Sequence, residues 1–253
     1  ENARIPDAFP RSAASITVPA RTKARILLDN DSLTTAYLSL LFSGGQGSQI
    51  TVAYAEALYM DTAPLSKGNR DEIEGKKFVG YEDIILPDGG SDRLFTSLWW
   101  RTWRYVQLTI ETKDEPLEIG DVYGTFTAYP FERASTFDAP GHPQLNRMLD
   151  IGWRTARLCA NETYMDCPYY EQLQYFGDTR IQALITLYNT RDRYMARNAI
   201  EQGRQSIVSD GITMSRYPSG IHQFISSFSL YWICMGHDYW RYRGEEEYLK
   251  TLL

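Results

Sequence analysis

The first half of the chain alternates between hydrophobic and polar residues, which is the pattern of half-buried β-strands. The clearest alternation covers residues 48–58 and 105–112. Shorter runs of the same kind cover residues 15–19, 24–28, 35–42, 78–86 and 117–129. Turn-forming residues separate these runs at positions 29–31, 44–47 and 87–90. Many short strands at such spacing predict an antiparallel β-sandwich or jelly roll.

The hydrophobic pattern changes between residues 129 and 143, where Pro130, Pro140, Gly141 and Pro143 interrupt regular structure. Beyond this segment apolar residues recur with a period of about 3.6, as on one face of an α-helix. We therefore predict two domains, a β-sandwich over residues 1–133 and a helical domain over residues 134–253. The predicted fold class is β followed by α.

The helical half predicts four helices and the start of a fifth. A helix after Pro143 carries the apolar stripe Leu145, Met148, Leu149, Trp153, Ala156 and Cys159. The next begins at Asp178, a plausible N-cap, with the expected buried face Ile181, Leu184, Ile185 and Tyr188. A third is capped by Thr190 and striped by Ala196, Ala199, Ile200, Gly203 and Ile207. Residues 224–240 are apolar on nearly every side, and Gly244 separates them from a helix over residues 245–253. Short helices joined by tight turns predict a double-layered helical barrel.

Composition narrows the function classes. The 253 residues suffice for one large or two ordinary domains, and 43% of them are hydrophobic. Net charge is 26 − 32 = −6 without a basic block, which argues against nucleic acid or an anionic membrane as partner. No apolar run approaches the roughly 20 residues of a membrane span, and the first residues lack the apolar core of a signal peptide. The three cysteines fit no zinc spacing.

Two features of the β half have both a functional and a structural interpretation. Glu56 interrupts an apolar face and the loop at residues 61–76 is charged, so both could contact a ligand, although an edge strand and an exposed loop explain them better. The aromatic run at residues 98–105 would suit a carbohydrate-binding platform. We favour a core strand with its tryptophans inside and its arginines extending to the surface.

The richest chemistry lies at residues 166–178, between two predicted helices. This stretch contains three carboxylates, Asp166, Glu171 and Asp178, among three tyrosines and a phenylalanine. Aromatic rings stack on the apolar face of a sugar, and carboxylates accept hydrogen bonds from its hydroxyls. A carboxyl group enclosed by rings also loses hydration and stays protonated near neutral pH, as a general acid requires. The alternative is an acidic aromatic loop that only packs between helices.

The stretch resembles the acid motif of bacterial α-L-rhamnosidases of glycoside hydrolase family 78. Asp166-Cys167-Pro168 and Gly177-Asp178 match its two ends, and Glu171 falls where the family places its general acid. This chain is one residue shorter between the ends, has tyrosines at 169 and 170 where an arginine is common, and has Tyr175 where a tryptophan is usual. The resemblance implies a β-sandwich followed by an (α/α)6 barrel, of which this chain holds fewer than half the helices. We therefore expect a chain truncated within the barrel.

The resemblance also implies inverting hydrolysis of terminal α-L-rhamnose, with Glu171 as acid and a base beyond the end of this chain. The 253 residues alone are therefore expected to be inactive. Implied substrate-binding residues are Asp166, Tyr170, Tyr175, Asp178 and Arg216. Asp166 would accept from rhamnose hydroxyls or, in the structural alternative, cap a turn before Pro168. Rival carboxylates are Glu162, at a helix end, and Glu245, Glu246 and Glu247, which the helix dipole explains better.

We expect no cofactor and see no residues that specify calcium. The expected partner is a rhamnose-containing oligosaccharide or glycoside, while the oligomeric state stays open. The family favours a periplasmic or extracellular location. The alternatives are a non-catalytic carbohydrate-binding protein, or a helical-barrel glycosidase or lyase for another sugar, although a lyase needs a cationic clamp that Arg180 and Arg216 barely supply.

Overall fold

The computed structural model describes residues 14–62 and 65–252. The chain divides into two compact units, one reaching to Thr127 and the other starting at Ala128. Among the described residues, the β-strands lie in the first unit and the α-helices in the second. This order confirms the predicted fold class, β followed by α.

The first unit is an antiparallel seven-stranded sheet with a separate two-stranded ribbon. Its strands are β1 (Ile16–Val18), β2 (Lys23–Gly44), β3 (Gln49–Ala55), β4 (Asp61–Thr62), β5 (Leu65–Ser66), β6 (Tyr81–Ile85), β7 (Arg93–Thr96), β8 (Arg101–Glu111) and β9 (Leu117–Phe126). The sheet order is β1-β9-β2-β8-β3-β6, with β7 also paired to β2, while β4 and β5 pair with each other.

The long strand β2 connects two groups of strands. Its first part, Lys23–Asp29, pairs with β8, whose other edge pairs with β3. Its second part, Ala36–Gly44, pairs with β9, and β7 lies along the same part. Side chains of both groups meet in one core, as in a sandwich whose layers share a bent strand.

The turn predicted at residues 29–31 is wrong, because β2 continues through it. The pairing with β8 only shifts register between Asp29 and Thr34, and Asp31 takes the left-handed conformation with φ 64°. Such an irregularity absorbs turn-forming residues without ending the strand. The Arg104 guanidinium donates to both carboxylate oxygens of Asp29, at 3.0 and 3.2 Å. This bidentate contact ties the irregular point of β2 to β8.

The sandwich core explains most of the aromatic run at residues 98–105. Trp100 and Trp103 are 3% and 5% exposed, and Trp103 belongs to the core cluster. Arg101 extends to Asp83, with which it pairs at 2.5 Å. Trp99, by contrast, is 44% exposed and stacks on Trp100. The interpretation as a core strand therefore fits Trp100 and Trp103, while Trp99 lies at the surface.

The second unit contains five helices: α1 (Pro143–Leu158), α2 (Phe176–Asn189), α3 (Tyr194–Gln205), α4 (Ser226–Arg243) and α5 (Glu246–Lys250). Two predicted caps are wrong. Asp178 is the third residue of α2, whose N-cap position is Tyr175, and Thr190 is the C-cap of α2. Asp192 accepts the Met195 backbone N–H at 3.1 Å at the start of α3. None of the described helices is long and apolar enough to cross a membrane.

The predicted buried face of α2 is also wrong. Ile181 and Tyr188 are 63% and 60% exposed. The side that faces the helical core carries Phe176, Thr179, Ala183, Thr186 and Leu187. Small side chains there let α4 approach closely, and tertiary packing decides which apolar stripe is covered. The predicted stripe of α3, by contrast, is buried except for Ile207, which lies beyond the helix end.

Candidate functional site

The first part of the motif stretch, residues 166–173, forms a loop whose two ends are joined by hydrogen bonds between Asp166 and Leu173. The Asp166 N–H donates to the Leu173 carbonyl at 2.9 Å. The Leu173 N–H in turn donates to Asp166 Oδ1 at 3.0 Å. Asp166 therefore has a structural role, although it joins the loop to Leu173 and does not cap a turn before Pro168. Its substrate-binding role stays a prediction, and only Oδ1 of its carboxylate is engaged within the described residues.

Further hydrogen bonds cross the interior of this loop. The Gln172 N–H donates to the Cys167 carbonyl at 3.2 Å, and the Glu171 N–H donates to Cys167 Sγ at 3.3 Å. The Gln172 side-chain amide donates to the Pro168 carbonyl at 2.9 Å. Gln172 has φ 55°, a left-handed conformation that costs energy for a non-glycine residue. The loop is thus fixed by its own contacts.

Glu171 is exposed, so the enclosure by rings that the sequence suggests is not present. Its carboxylate forms no hydrogen bond or ion pair within the described part of the chain. Tyr169 is buried, whereas Tyr170 is 48% exposed, and the two rings meet edge to face at 4.7 Å between centroids. The loop therefore presents one carboxyl group and one aromatic ring at the surface. The assignment of Glu171 as general acid stays a prediction.

Tyr175 and Arg216, which are 41 residues apart, lie together. Their backbones form an isolated antiparallel bridge. Arg216 Nη1 donates to the Tyr175 hydroxyl at 2.9 Å, and the guanidinium carbon lies 5.4 Å from the ring centroid. Arg216 Nε is buried without a hydrogen-bond acceptor among the described residues. The arginine thus holds the tyrosine, and the binding role of both residues stays a prediction.

Backbone pairing fixes this second part of the site. The Phe176 N–H donates to the Ser215 carbonyl at 2.9 Å, and the Tyr217 N–H donates to the Gln174 carbonyl at 3.3 Å. The buried Gln174 amide donates to Gln202 Oε1 at 2.6 Å and to the Tyr217 carbonyl at 2.8 Å. Sequence reasoning missed Gln174, because its partners lie 28 and 43 residues away. Nothing in the local pattern marks those contacts.

Asp178 lies in the first turn of α2 and is exposed. A negative charge there interacts favourably with the helix dipole, so the position has a structural explanation beside the predicted one. Arg180, in the same helix, pairs with Asp238 of α4 at 2.8 Å. That ion pair joins α2 to α4 below the loop and uses one of the two arginines considered for a cationic clamp.

The rival carboxylates have structural partners or lie in solvent. Glu162 is exposed. Glu245 pairs with Arg193 and Arg197 at 3.3 and 3.4 Å. Glu246 and Glu247 pair with Lys250 at 3.3 and 2.8 Å. In residues 14–62 and 65–252, no group of three or more histidine, cysteine, aspartate or glutamate side chains is placed to hold a metal ion.

Two of the three cysteines lie near the loop. Cys159, at the end of α1, is buried, and burial raises the pKa of its thiol to about 11, with smaller contributions from Cys167 and Asp166. Cys167 is half-buried. Both thiols are free in this structure.

Residues 132–252 match the family model of the bacterial α-L-rhamnosidase six-hairpin glycosidase domain. This match covers nearly all of the helical unit and slightly less than half of the chain. The resemblance found in the motif is thereby confirmed. A search of the curated proteins gave no significant match.

Solved rhamnosidase structures share the fold of both units. A family 78 rhamnosidase from Bacillus sp. GL1 has a TM-score of 0.77 at 20% identity, over 95% of this chain and 24% of that chain. A Klebsiella oxytoca rhamnosidase with rhamnose bound has a TM-score of 0.71 at 16% identity, over 93% and 47%. A Streptomyces avermitilis α-L-rhamnosidase complexed with L-rhamnose has a TM-score of 0.61 at 17% identity, over 94% and 23%. The chain thus spans between 23% and 47% of their lengths.

Proposed function

We propose that the complete gene product is an α-L-rhamnosidase that removes terminal L-rhamnose from glycans or glycosides with inversion of the anomeric centre. The observation that carries the proposal is the Asp166–Asp178 motif. It lies on a loop that its own hydrogen bonds close, before α2, in the unit that matches the rhamnosidase family model. Two rhamnosidases of the same fold contain bound rhamnose, which supports this sugar over another.

In the proposed mechanism Glu171 protonates the oxygen that leaves the sugar. Its carboxyl group stands at the surface of a fixed loop, where a substrate can reach it. Since the surrounding rings do not enclose it, we propose that the bound sugar displaces water from it. An inverting enzyme also needs a base about 6.5–9.5 Å from the acid, on the other side of the ring. We assign no base within this chain, because Glu245, Glu246 and Glu247 already have cationic partners.

The proposed sugar contacts surround the loop. Asp166 offers its second carboxylate oxygen to a hydroxyl, and Asp178 offers another acceptor from the first turn of α2. Tyr175 would stack on the sugar, with its ring orientation fixed by Arg216. Tyr170 presents an exposed ring for the leaving-group side. None of these roles needs a metal ion or a cofactor.

The acid assignment is tested in the complete gene product with two rhamnosides that differ in their leaving group. An alkyl rhamnoside needs a proton on its leaving oxygen, whereas an activated aryl rhamnoside needs much less assistance. Glu171→Gln is therefore expected to lower kcat on the alkyl substrate by about 10²–10⁴-fold, with a much smaller loss on the aryl substrate. Glu162→Gln, an exposed carboxylate outside the loop, serves as the matched control and is expected to retain activity.

Three results would change the proposal. Full activity of Glu171→Gln on the alkyl rhamnoside would remove Glu171 as the acid. If NMR showed that the first product keeps the anomeric configuration of the substrate, the inverting mechanism would be wrong. Binding of rhamnose without turnover by the complete gene product would favour the carbohydrate-binding alternative. The 253 residues alone are expected to show no turnover, because the proposed base is not among them.

A further inference from the structure

Cys167 accepts hydrogen bonds from two successive backbone N–H groups. Its carbonyl accepts from Gln172 at 3.2 Å and its sulfur from Glu171 at 3.3 Å. A cysteine sulfur is a weak acceptor, so this contact can hold the Glu171 N–H only when the ends of the loop are already joined. Here the closure by Asp166 and Leu173 provides that support.

The position of Glu171 depends on these backbone contacts, since no side-chain contact holds its carboxylate in the described part of the chain. An acid catalyst must be held within a fraction of an ångström of the oxygen that it protonates, and small displacements cost large factors in rate. The hydrogen bond from the Glu171 N–H to Cys167 Sγ holds the backbone of Glu171 directly. The neighbouring contacts act at residues 172 and 173.

We propose that Cys167 is a positioning residue for the general acid: its sulfur fixes the Glu171 backbone, and thereby the direction in which the carboxyl group points. The inference rests on the proposed function, because it assumes that Glu171 is the acid. Cys167 does not contact the substrate in this scheme and forms no covalent bond. Its role differs from that of Cys159, whose carbonyl accepts the Met165 N–H at 2.8 Å and whose side chain is buried at the end of α1.

The structural half of the proposal is tested on the 253-residue chain without any activity measurement. NMR would follow solvent exchange of the Glu171 amide in the wild type and in Cys167→Ala, Cys167→Ser and Cys159→Ala. We expect about two-fold faster exchange in Cys167→Ala, the factor for losing a hydrogen bond at the weak end of the usual net strength, because sulfur is a weak acceptor. Cys167→Ser keeps an acceptor and should restore most of the protection. Cys159→Ala should leave this amide unchanged.

The catalytic half is tested in the complete gene product. Cys167→Ala is expected to lower kcat on the alkyl rhamnoside by about ten-fold, with KM nearly unchanged, because the acid is misplaced while the sugar contacts remain. The loss should be smaller on the activated aryl rhamnoside and smaller again in Cys167→Ser. Equal losses on both substrates, or in Cys159→Ala, would indicate a general structural effect and overturn the proposal.

The two proposals fail in different ways. Unchanged Glu171 amide exchange in Cys167→Ala would refute the positioning role whatever the activity. If Glu171→Gln were fully active while the amide still responded to Cys167→Ala, the contact would stand and the assignment of the acid would be wrong. If Cys167→Ala did not fold, the positioning role would be tested by comparing Cys167→Ser with Cys159→Ala. An exchange rate and a kcat equal to those of the wild type in Cys167→Ser would then support the need for an acceptor at position 167.

Discussion

Replacing Gly203 by alanine is expected to destabilise the helical unit, although alanine is the better helix former. A Cβ atom at position 203 would lie 2.3 Å from both Cδ1 and Nε1 of Trp232. That indole is partly buried and donates from Nε1 to the Ile200 carbonyl at 2.9 Å. An added methyl group must therefore either push the ring away from α3, which breaks this hydrogen bond, or force α3 and α4 apart.

The magnitude follows from three opposing contributions. Overpacking of a close contact costs about 1–3 kcal/mol, and loss of the Trp232 hydrogen bond costs about 0.5–1.5 kcal/mol. Against these, alanine gains about 1 kcal/mol over glycine in a helix interior. The net expectation for Gly203→Ala is a loss of about 0.5–3.5 kcal/mol in the free energy of unfolding.

Gly236→Ala on α4 is the matched control, since no heavy atom lies within 4 Å of the Cβ position there. This substitution is expected to stabilise by about 0.5–1 kcal/mol. Denaturant unfolding of the 253-residue chain, followed by helical circular dichroism, measures both variants against the wild type. If Gly203→Ala proved as stable as Gly236→Ala, the close approach of α3 and α4 at Trp232 would be refuted.

Two further predictions concern other contacts. Burial and the Asp192 carboxylate raise the pKa of Tyr129 from 10.0 to about 12. Between pH 10 and pH 12 the unfolded chain therefore loses the Tyr129 proton while the folded chain keeps it, so the free energy of unfolding should fall as the pH rises through this range. Tyr129→Phe should flatten that fall in pH-dependent unfolding, and an unchanged slope would contradict the assignment. Glu56→Gln removes the carboxylate that pairs with half-buried Lys67, and should speed proteolysis between β5 and β6 several-fold, whereas the exposed control Glu72→Gln should not.

Sequence alternation located the strands that are regular and buried on one side. The alternation at residues 48–58 contains β3, and that at residues 105–112 matches the later part of β8, which begins at Arg101. The short strand β7 was missed, since its four residues are mostly exposed and contain no clear alternation. The continuity of β2 was missed for a different reason. Asp29-Asn30-Asp31 is locally a turn sequence, and pairing with β8 on both sides of it overrides that preference.

Helical periodicity identified where the helices are, but not which side of α2 is covered. Ile181 and Tyr188 form a better apolar stripe than Thr179 and Ala183, yet the small residues face the core. Periodicity measures the amphipathic character of one element and contains no information on the shape of its neighbour. Close packing of α2 on α4 depends on such complementary shapes.

The candidate site was predictable as a stretch of sequence and not as a geometry. The motif gave the positions of Asp166, Glu171 and Asp178 directly. The hydrogen bond between Arg216 and Tyr175 joins residues 41 positions apart, and the exposure of Glu171 depends on how the whole loop closes. Both are tertiary properties, so the sequence could name these residues without showing how they are held.

The course of β2 has a consequence for how the first unit acquires its structure. Lys23 pairs with Glu111, and Gly44 pairs with Leu117. The short strand β7 reaches β2 first, with Arg93 opposite Phe42, but these two longer pairings join residues 88 (111 − 23) and 73 (117 − 44) positions apart. During synthesis β2 must therefore wait for its main partners, whereas α3 follows α2 closely in the sequence. Since distant pairings slow folding, we expect the sheet to assemble late and to expose unpaired strand edges in the meantime, which makes it the part of the chain with the greater need of a chaperone.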